Sequence, residues 1–72
     1  MAVIVQTHGS LRDHIGTGID LDNVQIVGDV IARLSIPDDT GLAILVNGRL
    51  AHWQTPLHNG DVVQLIPQIS GG

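Results

Sequence analysis

Seventy-two residues without a cysteine bound a single small domain and exclude a disulfide framework, a thiolate nucleophile and a thiolate metal site. The net charge is −4, with seven aspartates and only Arg12, Arg33 and Arg49 as strong bases, which argues against nucleic acid or an anionic membrane as the principal partner. A chain this short buries only about 60% of its unfolded surface. With no Phe or Tyr and a single Trp, its core has to be built from Val, Ile and Leu, which favours strands. The apolar run Ala2 to Val5 is too short for a membrane span or a leader, so a cytoplasmic protein is expected.

Residues 2–6 read as a first strand. Ser10 to Gly16 has the form of one helical turn, with Ser10 as cap and Gly16 as terminator. Ile19 and Leu21 alternate with polar residues and predict a half-buried strand within 16–22. Val27, Val30, Ile31 and Leu34 fall on one face of a helix over 27–34. Asp29 in its first turn and Arg33 in its last suit the macrodipole. Neither Gln25 nor Ile26 is a good cap, and Ser35-Ile36-Pro37 stops the helix. Asp38 to Gly41 is a loop and 42–46 a third strand. Asn47-Gly48 is a hairpin signal, because both residues tolerate positive φ, and 49–51 returns. Residues 52–58 are irregular, with Trp53 either a satellite of the core, the preferred reading, or an exposed contact residue. Asn59 to Asp61 is a turn, and 62–66 is the last strand. A small mixed sheet packed on one helix accommodates this order.

Alternation places Val3, Val5, Ile44, Val46, Val63 and Leu65 toward the helix. Ile4, Leu45, Val62 and Ile66 then face away. One helix covers one face of a sheet, so an apolar far face points to a partner that covers it.

The last strand runs directly into Pro67-Gln68-Ile69-Ser70-Gly71-Gly72. Residues 1–67 are read as the folded domain and 68–72 as a flexible tail. Gly71 and Gly72 carry no Cβ, so the backbone can pass through a narrow channel. Five extended residues reach about 15 Å, enough to bury a terminal carboxylate in another protein.

Several stretches together resemble one family. Leu21-Asp22-Asn23-Val24-Gln25-Ile26-Val27-Gly28-Asp29-Val30-Ile31 is similar to its strand-to-helix passage, and Val46-Asn47-Gly48 to its hairpin. Pro56-Leu57-His58-Asn59-Gly60-Asp61-Val62-Val63 and the end Ile66-Pro67-Gln68-Ile69-Ser70-Gly71-Gly72 resemble two further segments. The family is that of the β-grasp sulfur carriers: the small subunit of molybdopterin synthase and the thiamine-pathway sulfur carrier. Ser10-Leu11-Arg12-Asp13 and the Ser-Gly-Gly end resemble the molybdopterin branch more. Three positions depart from the family pattern: Ile66 where that branch has an aromatic, Gln68 in place of a second proline, and Ile26 in place of a capping Thr.

The resemblance implies an α+β, ubiquitin-like β-grasp fold of four to five strands on one main helix, with first and last strands parallel at the centre. It implies that Gly72 is adenylated by an enzyme of the ubiquitin-activating type using ATP and Mg. A persulfide sulfur then displaces AMP on the way to a thiocarboxylate. Gly71, Ser70 and Ile69 would form the passage. The proposed partner contacts are Ile4, Leu45, Val62, Ile66 and Pro67. The chain would be a carrier, with no permanently bound cofactor, that pairs with a catalytic large subunit.

Other chemistry is poorly supported by the residues. His8, His14, His52 and His58 lack ligand spacing, and no cysteine joins them. Asp20 and Asp22 share a strand face without the setting of an acid–base pair. The rival functions are a carrier for thiamine or another product, a modifier joined to target lysines, and a non-covalent module that uses the sheet face alone.

Overall fold

The computed structural model describes residues 2–37 and 40–68. Met1, the Asp38-Asp39 part of the expected loop, and Ile69, Ser70, Gly71 and Gly72 lie outside the described residues.

The strands are β1 (Ala2–Thr7), β2 (Ile19–Asp22), β3 (Leu42–Val46), β4 (Arg49–Ala51) and β5 (Val62–Pro67). Helix α1 (Gly9–Ile15) follows β1, and α2 (Val27–Arg33) joins β2 to β3. The strands form one sheet in the order β2-β1-β5-β3-β4. β1 and β5 are parallel neighbours at its centre, and all other pairs are antiparallel. This is the β-grasp architecture that the residue patterns resemble.

The core is aliphatic throughout. Val3, Val5, Val63 and Leu65 of the central strands are fully buried against Val27, Val30 and Ile31 of α2. Ile44 closes the cluster from β3, while Leu11 and Ile15 of α1 pack at its margin. The expected helix-side set is therefore placed as read, with Val46 half-buried at the hairpin end. Three further members come from outside regular elements: Val24, Ile36 and Leu57. Thr7 is the buried polar residue of this face. Its hydroxyl donates to the Gly16 carbonyl, and its backbone N–H donates to Thr17 Oγ1 at 3.1 Å. Both groups are thus satisfied inside the fold, as burial demands.

The cap of helix α1 lies two residues earlier than its sequence suggests, and Ser10 is not that cap. His8 holds the cap position without a side-chain hydrogen bond, and Ser10 lies inside the first turn. Gly16 does terminate it, at φ 90°, with its N–H on Arg12 O at 2.9 Å. For α2 the poor cap, Ile26, is compensated from two sides. Asp29 reaches back to accept from Gln25 N at 2.8 Å and Ile26 N at 3.2 Å, the carboxylate half of a capping box. The Val27 and Gly28 amides, orphans of the first turn, donate to Thr55 O and Trp53 O at 3.0 and 2.8 Å. The irregular 52–58 segment thereby holds the helix start. Trp53 is 40% exposed, not a core satellite. Its backbone carbonyl and ring edge lie over Gly28, where an added Cβ would meet Trp53 O at 3.3 Å.

Candidate functional site

Residue alternation and strand register define the sheet face opposite α2. Ile4 pairs with Val62, and Gln6 with Gln64, across the parallel centre. Gln64 pairs with Leu45, and Leu45 with Leu50, toward the β4 edge. Ile66 pairs with Ala43 at the end nearest the tail. All of these residues share the outer face. Ile4 is 39% exposed and Leu50 80% exposed, whereas Leu45, Val62 and Ile66 are half-buried by their neighbours.

Ile4, Leu45, Val62 and Ile66 accordingly meet on one surface. Two features of that surface are absent from the sequence reading. Gln6 and Gln64 sit in its middle, with Gln64 Nε2 donating to Gln6 Oε1 at 3.2 Å, so the apolar area is divided by a polar bar. Leu50, the most exposed large apolar side chain among the described residues, extends it to the sheet edge. The direct Leu45–Leu50 pairing across the Asn47-Gly48 turn was the available signal, because hairpin register follows from a two-residue loop. On the opposite edge, Asp20 and Asp22 of β2 are exposed beside Ile4 and Ala2. The face is therefore graded from acidic at β2 to apolar at β4.

Pro67 lies on the other side of β5 from Ile66 by alternation. It is backed by α1: a Cβ on Gly9, whose φ is +58°, would meet Pro67 Cγ at 3.4 Å. Ile66 and Pro67 instead come together with His8, Gly9 and Ser10 around a mainly apolar cleft of about 300 Å³ at the point where the tail departs. The departure point is anchored. His8 N donates to Leu65 O at 3.2 Å, and Gln68 N donates to Gly41 O at 2.9 Å. Arg12 and His8 line a second depression that adjoins this root, together with Gln6, Thr7, Thr17 and Gly18.

The far end of β5 is tied by Asn47 and Asp61. Asn47 Nδ2 donates to Asp61 Oδ1 at 2.9 Å, and Asn47 Oδ1 accepts from Val62 N at 3.0 Å. Asp61 Oδ2 also accepts from His58 N at 2.8 Å. These bonds hold the Asp61 carboxyl below the usual carboxylate range, the Asn47 amide contributing most. Asp29 is lowered likewise, chiefly by the Gln25 amide. Among the described residues no group of three or more His or Asp side chains is placed to hold a metal ion. No described helix is long and apolar enough to cross a membrane. The described residues thus present a partly exposed apolar outer face and a β5 end held by backbone bonds to His8 and Gly41.

Solved structures with this fold are found in several settings. SAMP1 of Haloferax volcanii, a small archaeal modifier protein, is 22% identical over 100% of both chains, with a TM-score of 0.82. A chain from the complex of subunits 1 and 2 of the molybdopterin-converting factor of Helicobacter pylori is 26% identical over 100% of both, at 0.71. Urm1 of Trypanosoma brucei is 21% identical over 99% of this chain and 95% of its own, also at 0.71. No curated protein sequence matches the chain. The ThiS family model matches residues 5–72, nearly the whole length and through the final glycine. The chain belongs to the ThiS family.

Proposed function

We propose that this protein is a sulfur carrier of molybdopterin (molybdenum and tungsten cofactor) synthesis, in which Gly72 is the group that carries sulfur. The observation that supports this most is the family match running to residue 72, beyond a central strand whose exit is anchored on both sides. A free carboxylate is a poor electrophile. In this reading an adenylating enzyme binds Mg-ATP, and the Gly72 carboxylate attacks the α-phosphate and releases pyrophosphate. With hydrosulfide as donor, a C–S bond then forms as the C–O bond to AMP breaks, leaving a thiocarboxylate. ATP and Mg belong to the activating enzyme. Gly71, Ser70 and Ile69 thread its channel, and Ile4, Leu45, Val62, Ile66 and Pro67, with Leu50, meet the partner. The molybdopterin branch is favoured by the Ser10 to Asp13 segment lying within α1 and by the likeness to a chain of the two-subunit Helicobacter pylori complex. The recipient of the sulfur is then a catalytic large subunit in the cytoplasm.

A second reading is a protein modifier, in which the activated Gly72 acylates a target lysine. It is favoured by the likeness to SAMP1. The chain itself contains no lysine or cysteine, so no side chain of a neighbouring copy competes for the activated tail by either chemistry.

The deciding experiment is the intact mass after incubation with a family adenylating enzyme, Mg-ATP and sulfide. Replacement of one terminal oxygen by sulfur, absent when Gly72 is deleted, is the expected result. An unchanged mass with an enzyme that activates a related carrier overturns the reading. Higher-mass conjugates in lysate, lost with Gly72, select the modifier instead.

A further inference from the structure

The chain contains two Asn-Gly sequences, Asn47-Gly48 and Asn59-Gly60, and both lie at turns beside β5. The pair is chemically prone to one reaction. The backbone nitrogen of the glycine, after losing its proton to water, attacks the asparagine Cγ. The new N–C bond closes a five-membered succinimide, the Cγ–Nδ2 bond breaks, and the nitrogen leaves as ammonia. Water then opens the ring at either carbonyl, giving aspartate or isoaspartate with no oxidation or reduction. Glycine favours the reaction because no Cβ obstructs the approach.

The fold treats the two sites differently. Asn47 and Gly48 have φ of 53° and 83°, the geometry of a two-residue hairpin turn. Both ends of the Asn47 side chain are engaged, Nδ2 by Asp61 and Oδ1 by Val62 N, and its backbone N–H donates to Val62 O at 2.9 Å. Rotating Cγ onto Gly48 N requires breaking two side-chain bonds, to the consecutive residues Asp61 and Val62 at the start of β5. Asn59 occupies a turn closed by Asp61 N on His58 O at 3.1 Å, with Gly60 at φ 87°. Its Oδ1 accepts a single bond, from Ala2 N at 2.9 Å. The attacking group, Gly60 N–H, donates to Ala2 O at 2.7 Å. Side chain and nucleophile are therefore both restrained by one residue, the first of β1. Strand ends open far more readily than strand centres, and one opening at Ala2 frees both reactants together.

We propose that Asn59 is the preferred site of spontaneous covalent modification in this protein, converting to aspartate and isoaspartate, while the fold slows the same reaction at Asn47. The product bears on the outer sheet face. Isoaspartate inserts a methylene into the main chain of the turn that sets Asp61 O to receive Ile4 N at 2.9 Å, beside the Ile4–Val62 pair. It also adds a negative charge to a chain already at −4.

The test is peptide mass spectrometry of the folded protein held in warm, mildly alkaline buffer, with a second sample in concentrated urea. In the fold, the one-dalton gain and the isoaspartate signature are expected at Asn59 about tenfold faster than at Asn47, a barrier difference of about 1.4 kcal/mol. In urea the two rates should converge. The Asn59→Gln variant, kept folded, should show almost no gain. Equal rates at both sites in the fold, faster reaction at Asn47, or no reaction at either site while both react in urea would each overturn the proposal.

Discussion

The two faces of the sheet are made from the same strands and nearly the same residue types, yet they differ in how completely they are covered. On the α2 side, Val3, Val5, Val63 and Leu65 have no exposed surface and meet a helix whose Val27, Val30 and Ile31 are equally enclosed. On the outer side, Ile4, Val62, Leu45, Ile66 and Leu50 are partly or largely open, and Gln6 and Gln64 interrupt them. Burial of apolar area drives folding at roughly 25 cal/mol per Å² only where water is excluded. The α2 side therefore carries most of the stability, and the outer side contributes less to it. The glutamine bar is consistent with that division, since it limits the contiguous apolar patch that would otherwise promote self-association.

The largest effect that tests this division is Ile31→Ala. Removing a fully buried aliphatic chain from α2 is expected to cost about 2–5 kcal/mol, read as a lowered midpoint in urea. A loss under about 1 kcal/mol would show that the core tolerates a void here and that the faces are less distinct than their burial suggests.

Leu50→Asp probes the other face. Thermal stability should change by no more than about 0.5 kcal/mol, as at other open surface positions. On the proposed function, with Leu50 an anchor of the docking face, affinity for the partner enzyme should fall by about 2 kcal/mol or more. Titration calorimetry separates the two. Unchanged affinity would remove the β4 end from the docking surface.

Thr7→Val sharpens the comparison by altering the one buried polar residue among those described on the α2 side. The Gly16 carbonyl loses its donor, and a loss of about 1–3 kcal/mol is expected. Hydrogen exchange of the Gly16 and Thr17 region should rise with it. Unchanged exchange there would mean that water replaces the hydroxyl without cost.

The smallest effect lies in the acid limb of stability. Asp29 and Asp61 have folded pKa values below the ordinary 3.8. Groups depressed in this way contribute fully above their unfolded value, and the contribution is lost as pH falls through the folded value. Melting curves from neutral to strongly acid pH should flatten for Asp29→Asn and Asp61→Asn relative to the parent. A parallel, undiminished acid limb in both variants would assign it to other carboxylates.

The sequence by itself determined which segments are strands, the existence of α2 and the inward set, because period-2 and period-3.6 spacing of aliphatic residues leave few alternatives. It also indicated the family, through motifs spread along nearly the whole chain and closing on Ser-Gly-Gly. Only the tertiary structure decided the rest. Val24, Ile36 and Leu57 enter the core from segments with no periodicity, since their burial depends on how loops cross the sheet margin. Beside Asp29, the start of α2 is held by the carbonyls of Trp53 and Thr55, residues far along the chain that no local capping rule could have found. Gln6 meets Gln64 only because β1 and β5 are parallel neighbours in one register, and register between strands so distant in sequence is set by packing.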